Sequence, residues 1–270
     1  MKFRGVAVPF TLAVATGVTT AYFTSKLIAR KVSRALTEPP PYKVSGPPVS
    51  VVIPALEEED YLPALLTSIA NQTYEPIEVL VADSSSDLHR EQTEAICSSF
   101  GAKYINVPIL NISLARNEGA RQALGDPLVF VDSDCILAHD YIEQVVYALQ
   151  HGYTLAHGVD PNIDGLFGAA SVIGGVWFKP VTHTSRGVAI WRDAFWGIGG
   201  YDEACDPTEG GREDLRLGAM VKERYGLGSM ILLPGACLVT SPRRGQRFPL
   251  IKSWERARGV RNGRVIEIER

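Results

Sequence analysis

Apolar positions along this chain follow three patterns, each predicting a different kind of element. The first is a run from Gly5 to Ser25 of 21 residues without a charge. As a helix rising about 1.5 Å per residue it would span roughly 31 Å, the depth of a bilayer's hydrocarbon core. Pro9 falls in its first turn, where proline is tolerated. Lys2 and Arg4 ahead of the run would also suit a cleaved signal peptide. No small-x-small cleavage site closes the run, however, and Lys26, Arg30, Lys31 and Arg34 follow at once. Residues 1–36 are therefore expected to be a single-pass membrane anchor. The excess of cations on its C-terminal flank favours a cytoplasmic body. Five prolines between Glu38 and Pro48 (Pro39, Pro40, Pro41, Pro47, Pro48) then predict an extended linker over 37–48.

The second pattern is an alternation of short β-branched runs with helical spacings. Val49–Pro54, Ile77–Asp83, Lys103–Val107 and Pro127–Asp132 read as strands. Glu58–Ala70, Leu88–Phe100 and Ser113–Leu124 read as the helices between them. Such alternation predicts an α/β domain over 49–245, Rossmann-like, with a doubly wound, mostly parallel sheet. Ligands of such a sheet sit at the carboxyl ends of its strands. A further helical run is expected from Glu213 through Arg224.

The third pattern, Ile163–Phe178, is glycine-rich and apolar with one charge, Asp164. It is too short to span a bilayer comfortably. A buried segment beneath the site and a membrane-facing acceptor groove both fit it.

Charge refines this picture. Residues 1–37 carry six Lys/Arg and no acid, 243–270 carry nine against three, and the stretch between has a net charge of −15. An acidic body would repel a nucleic acid lying across it, so no nucleic-acid partner is expected. A basic tail over 246–270, with Leu250, Ile251 and Trp254 among arginines, suits an anionic interface. Cys97, Cys135, Cys205 and Cys237 are too far apart in sequence for a C-x-x-C pair or zinc spacing, and reduced, mostly buried thiols are expected.

Three strands finish on polar or acidic residues: Pro54 with Glu57 and Glu58 beyond it, Asp83, and Asp132-Ser133-Asp134. Asp132 and Asp134 form a D-x-D directly after a buried strand, a pair of hard oxygen donors suited to Mg²⁺ or Mn²⁺. No Walker loop or G-x-G-x-x-G follows the first strand, which disfavours phosphate-loop NTPases and dinucleotide oxidoreductases.

Read in order, SVVIPALEEEDYLPALLTSIANQTYEPIEVLVADSSSD, Ala115-Arg116-Asn117, Phe130–Asp134, Gly199-Gly200-Tyr201-Asp202-Glu203 and Glu213-Asp214 resemble glycosyltransferase family 2, over about residues 48 to 245. The resemblance implies the GT-A fold, a nucleotide-sugar donor and a divalent cation. It implies that Pro54, Ala55 and Glu58 line the nucleotide pocket, that Asp83 recognises the base, and that Arg116 lies near the phosphates. By the same resemblance Asp132 and Asp134 hold the metal and diphosphate, and Asp214 is the general base of an inverting transfer. The chain departs from the family's pattern at Leu56-Glu57, where Tyr-Asn is common, and at Asp83–Asp87, which is one residue short. Q-x-x-R-W, the mark of processive synthases, is absent.

On the acceptor side, Trp191, Glu213, Arg243 and Arg244 are candidates for contact with acceptor or diphosphate, and His183 for a third metal ligand. The expected protein is a membrane-anchored, metal-dependent glycosyltransferase acting on a lipid-linked or glycan acceptor. A sugar nucleotidyltransferase is the enzymatic alternative, and a catalytically inactive binding module the non-enzymatic one.

Overall fold

The computed structural model describes residues 19, 23, 26–159, 187–205 and 213–241. A helix over residues 26–37 (α1) precedes strand β1 (Val44–Ala55). Then come α2 (Leu62–Ala70), β2 (Tyr74–Asp83), α3 (Asp87–Phe100), β3 (Lys103–Asn106), α4 (Ile112–Gln122) and β4 (Leu128–Val131). They are followed by β5 (Cys135–Leu137), α5 (Tyr141–Gln150), β6 (Leu155–Val159), β7 (Gly187–Ile190), α6 (Arg192–Gly197), α7 (Glu213–Tyr225) and β8 (Met230–Thr240).

One sheet runs β3-β2-β1-β4-β7-β6-β8-β5. Its first four strands are parallel, as the alternating pattern predicts. The other half is mixed: β6 is parallel to β8, whereas β7 is antiparallel to both β4 and β6, and β5 to β8. The regular alternation that signals crossover units stops after β4, so this mixed half had no comparable sequence signal. Its strands are fastened from behind by Tyr141, fully buried at the start of α5. The Tyr141 hydroxyl donates to the Gly187 carbonyl at 2.9 Å and accepts from the Gly158 amide at 3.2 Å. A Cβ at either glycine would lie within 2.5 Å of that ring or its hydroxyl, so a tyrosine can reach both strands only because neither carries a side chain there.

Strand β1 starts at Val44, inside the expected linker. Val44 and Ser45 pair with Tyr74 and Glu75, and the register shifts before Val49 resumes the ladder with Ile77. Pro47 and Pro48, which cannot donate to a ladder, occupy that irregularity, and Tyr74 donates its hydroxyl to the Pro47 carbonyl at 2.7 Å.

The expected boundary between anchor and body is also corrected. Helix α1 is part of the body: Ile28, Val32 and Ala35 are buried, the first two against Ala138 and Cys237 with Ile136 and Val239 beside them. Lys31 pairs with Asp140 at 2.8 Å, and Asn71 donates to the Ala35 carbonyl at 2.9 Å. Helical spacing at 28, 32 and 35 gives α1 one apolar stripe, which covers the β5–β8 edge. Among the described residues no helix is long and apolar enough to cross a membrane. The uncharged Gly5–Ser25 run lies almost wholly outside them, as do Ile163–Phe178, His183, Arg243, Arg244 and the 246–270 tail.

Removing a buried methylene-rich side chain costs about 2 kcal/mol or more, and surface changes stay within about 0.5 kcal/mol. Ile28→Ala should therefore lower the urea midpoint of unfolding measurably, and Leu27→Ala, one position along and exposed, should leave it in place.

Candidate active site

At the carboxyl end of β4 a single buried cation organises the acids that the sequence singles out. Arg116, on α4, is 2% exposed. Its guanidinium lies 2.8 Å from Asp132 Oδ1, 3.2 Å from Glu213 Oε1 and 3.3 Å from Asp214 Oδ1. It also stacks over the Tyr201 ring, 4.8 Å from the centroid. Burial works against its charge, but Asp214, Asp132 and Glu213 outweigh that and hold its pKa well above the ordinary arginine value. Tyr201, equally enclosed, has its phenol pushed well up by burial. Arg116, expected near the phosphates, thus faces three carboxylates and is shut away from solvent.

The neighbouring Asn117 fixes the Gly199–Glu203 segment. Its Oδ1 accepts from the Tyr201 amide at 2.9 Å, while Nδ2 donates to the Tyr201 carbonyl at 2.9 Å and to Glu203 Oε1 at 2.7 Å. Gly200 has φ +78°, and a Cβ there would lie 2.8 Å from Asn117 Oδ1, so this clamp requires glycine. Asn111, the N-cap of α4, donates to the Glu203 carbonyl at 2.8 Å. Sequence reasoning named these motifs without seeing that α4 ties them together. The signal was Asn117 directly after Arg116, two polar residues on a helix with otherwise small buried neighbours.

Asp132 and Asp134 sit half-buried at the end of β4, and the turn between them closes through the Cys135 amide to the Asp132 carbonyl at 3.1 Å. Asp214 and Glu213 open α7, as the expected helical run places them. Pro54 and Ala55 end β1, buried, with Glu58 half-buried in the loop beyond. Asp83 is fully buried: its carboxylate accepts from the Ser85 amide at 3.1 Å and from the Tyr104 hydroxyl at 3.2 Å. In this conformation it shapes the turn after β2 and presents no exposed surface to a base.

Trp191 is removed from the site by strand register. Ile190 pairs with Leu128, the first residue of β4, whereas Gly187 pairs with Val131, just before the D-x-D. Trp191 is thus at the opposite end of the sheet, where the Arg192 amide donates to Asp126 Oδ1 at 2.9 Å. There it borders a cleft of about 410 Å³ with Asp126, Thr154, Asp193, Ala194 and Tyr225. Phe195 is fully buried and packs on Phe130 with ring centroids 5.0 Å apart.

Residues 50–172 match glycosyl transferase family 2. That match takes in 123 of the chain's 270 residues. Its described fold is similar to a Pyrobaculum calidifontis mannosyltransferase solved with GDP-Man and Mn²⁺, at TM-score 0.59 and 20% identity over 94% of this chain and 77% of that one. It also resembles S. aureus TarS 1–349 in complex with UDP, at TM-score 0.55 and 16% identity over 74% and 62% of the two chains. These likenesses establish the GT-A arrangement. Among curated relatives, a Staphylococcus haemolyticus 4,4'-diaponeurosporenoate glycosyltransferase is 30% identical over 53% of this chain and 41% of its own length. A Serratia proteamaculans undecaprenyl-phosphate 4-deoxy-4-formamido-L-arabinose transferase is 33% identical over 42% and 37%. Streptococcus pneumoniae GlyA is 37% identical over 35% and 14%. The alignments span less than half the length of each of these three.

The site has more negative than positive charge: one guanidinium faces Asp132, Glu213 and Asp214, with Asp134 two residues on from Asp132. Among the described residues no group of three or more His, Cys, Asp or Glu is arranged to enclose a metal. Two half-buried carboxylates in an acid-rich rim still fit a hard divalent cation that takes its other oxygens from a diphosphate and water.

Beside the loop that follows β1, His89 Nδ1 and Glu59 Oε1 are 2.5 Å apart. That contact, with help from Glu57 and Asp83 and against burial, raises the His89 pKa above 6.5. For Glu59 burial acts upward, but its backbone hydrogen bond and His89 prevail and lower it below 4.5. The stability His89 contributes is present below its unfolded pKa and lost as pH rises through the folded one. Glu59's is present above its unfolded pKa and lost as pH falls through its folded one. Proton NMR should find His89 titrating above 6.5 in the native protein, and Glu59→Gln should bring it down. Removing one partner of a buried ion cluster costs about 3–5 kcal/mol. Arg116→Gln should lose stability on that scale in chemical denaturation, with Arg116→Lys losing less because it keeps the charge.

Proposed function

We propose that this protein transfers a sugar from a nucleoside-diphosphate donor to a hydroxyl or phosphate of a membrane-borne, lipid-linked acceptor, inverting the anomeric carbon. The observation that carries the reading is the meeting of Asp132 and Asp214 on one guanidinium, at 2.8 and 3.3 Å. Residues far apart in sequence are thereby held at the carboxyl-end rim where α/β sheets bind ligands. The solved neighbours bind GDP-Man or UDP, which supports a nucleotide-sugar donor. The lipids named for two relatives support a lipid-linked acceptor.

In this reading Asp132 and Asp134 hold a divalent cation beside the donor diphosphate. When bound, that cation neutralises charge on the leaving nucleotide. Asp214 accepts the proton of the acceptor hydroxyl as the oxygen attacks the anomeric carbon. Arg116 touches neither substrate. It sets the distance between the diphosphate side and the base, and its charge prevents the acids from repelling one another. Pro54 and Ala55 form the floor of the nucleotide pocket. A sugar nucleotidyltransferase would carry a glycine-rich basic loop after β1, where this chain reads PALEEE.

Asp214→Asn should keep donor affinity within a few-fold and lower single-turnover transfer by roughly 10² or more, the scale of a lost general base. Asp132→Asn and Asp134→Asn should instead abolish the Mn²⁺-dependent part of UDP or GDP binding in calorimetry. Near-normal turnover by the Asp214 variant would remove it as the base. Undiminished metal-dependent binding in both D-x-D variants would overturn the donor site.

A further inference from the structure

The three connections that leave the carboxyl ends of β1, β2 and β3 each present a large aliphatic side chain to solvent: Leu56 in the loop after β1, Leu88 in the first turn of α3, and the pair Ile109 and Leu110 ahead of α4. Their exposures are 44%, 68%, 61% and 53%. These connections form the same rim as Asp132, yet none of the four packs into either core. Isolated exposed leucines are ordinary, but one on each of three successive strand-to-helix connections around a polar site is a patterned surface.

Helix α1 points the same way. Its later residues contact the far end of the β5–α5 region: the Glu38 carbonyl meets His139, the Ala35 carbonyl meets Asn71, and Lys31 meets Asp140. Ile28, a turn before Lys31, belongs with Ala138 and Cys237, next to Ile136 and Val239. Val239 pairs with Ile136 and Thr240 with Cys135, and the Ser241 amide then bonds the Asp134 carbonyl at 3.0 Å. Moving toward its N-terminus, α1 therefore climbs the β5–β8 ribbon toward the D-x-D. At that end Phe23 and Leu27 are 61% and 62% exposed, with Lys26 and Arg30 exposed beside them. The uncharged Gly5–Ser25 stretch precedes this end of α1 in sequence.

We infer that the carboxyl-end rim is a bilayer-docking face, on which Leu56, Leu88, Ile109 and Leu110 enter the interface while the N-terminal segment and the cations of α1 hold the molecule to anionic lipid. The occupant is a lipid surface because aliphatic side chains and a cationic helix occur together around the mouth. The body is acidic, so attraction to anionic headgroups falls to the basic segments, and among the described residues that segment is α1. An acceptor would then enter the site from the membrane without crossing water. This rests on the membrane-borne acceptor proposed above.

The test uses the full chain with Cys205→Ser, which removes the half-exposed native thiol; the other three are buried. A fluorophore is placed through Leu110→Cys or, at the opposite end of the sheet, Leu124→Cys. Leu124 is 86% exposed and lies between α4 and the start of β4. Flotation on phosphatidylcholine vesicles containing phosphatidylglycerol tests membrane binding. Quenching by lipid spin-labelled near the headgroup then reports which end faces the bilayer. The expected result is flotation with several-fold stronger quenching at 110 than at 124. A second variant, Leu88→Ser with Ile109→Ser and Leu110→Ser, should float several-fold less while retaining UDP or GDP binding, which shows that its fold is intact. Flotation with equal quenching, or with stronger quenching at 124, overturns the docking face and leaves the membrane-borne acceptor standing. Absence of flotation overturns both.

Discussion

One buried guanidinium is the constraint from which the rest of this site follows. Three carboxylates from two distant segments converge where water is scarce, and without a cation they would repel one another or take up protons. Arg116 meets this need with a planar fork that lysine could not match in geometry. Because it stands on α4, the helix that crosses between β3 and β4, the whole arrangement is referenced to the sheet's central strands. Asn117 extends the same reference to the Gly199–Glu203 segment. Two consecutive residues of one helix thus locate the end of β4, the segment after α6 and the start of α7.

The sheet supplies the second constraint. Strand β4 is parallel to β1 on one side and antiparallel to β7 on the other, so the chain's direction reverses next to the D-x-D. The parallel side offers three loops at its carboxyl ends. The antiparallel side brings β7 away from the rim, which is why Trp191 and the rim acids lie at opposite ends.

How much of this was legible in the sequence depended on how local the cause was. The first four strands and three helices could be read from periodicity because each is buried through its own pattern. Strand β1 ran longer than predicted because Tyr74 and the β2 ladder draw Val44 and Ser45 into pairing, which the prolines alone argue against. In sequence, helix α1 reads as the end of an anchor. The stripe Ile28, Val32, Ala35 could have separated it from the uncharged run, but the cations between those positions hid it. At the site, the acids were identifiable from their placement after strands. The burial of Arg116 was not, because it arises from Glu213 and Asp214, about a hundred residues away. Asp83 shows the same limit: its position at a strand end was correct, and its inward orientation came from Ser85 and Tyr104.

The pairing of β6 with β7 also bears on how such a protein can change over evolutionary time. Val159 and Gly187 end and begin neighbouring antiparallel strands, so the chain leaves the sheet before the 27 intervening residues and re-enters it after them at nearly one place, beside the D-x-D. Closing a loop costs entropy that grows only with the logarithm of its length, about 0.6 kcal/mol per doubling. Descendants of one ancestor can therefore lengthen, shorten or replace this stretch while Tyr141 keeps its two ends fixed. Diversity can accumulate in this stretch of sequence without altering the sheet or the side chains gathered around Arg116.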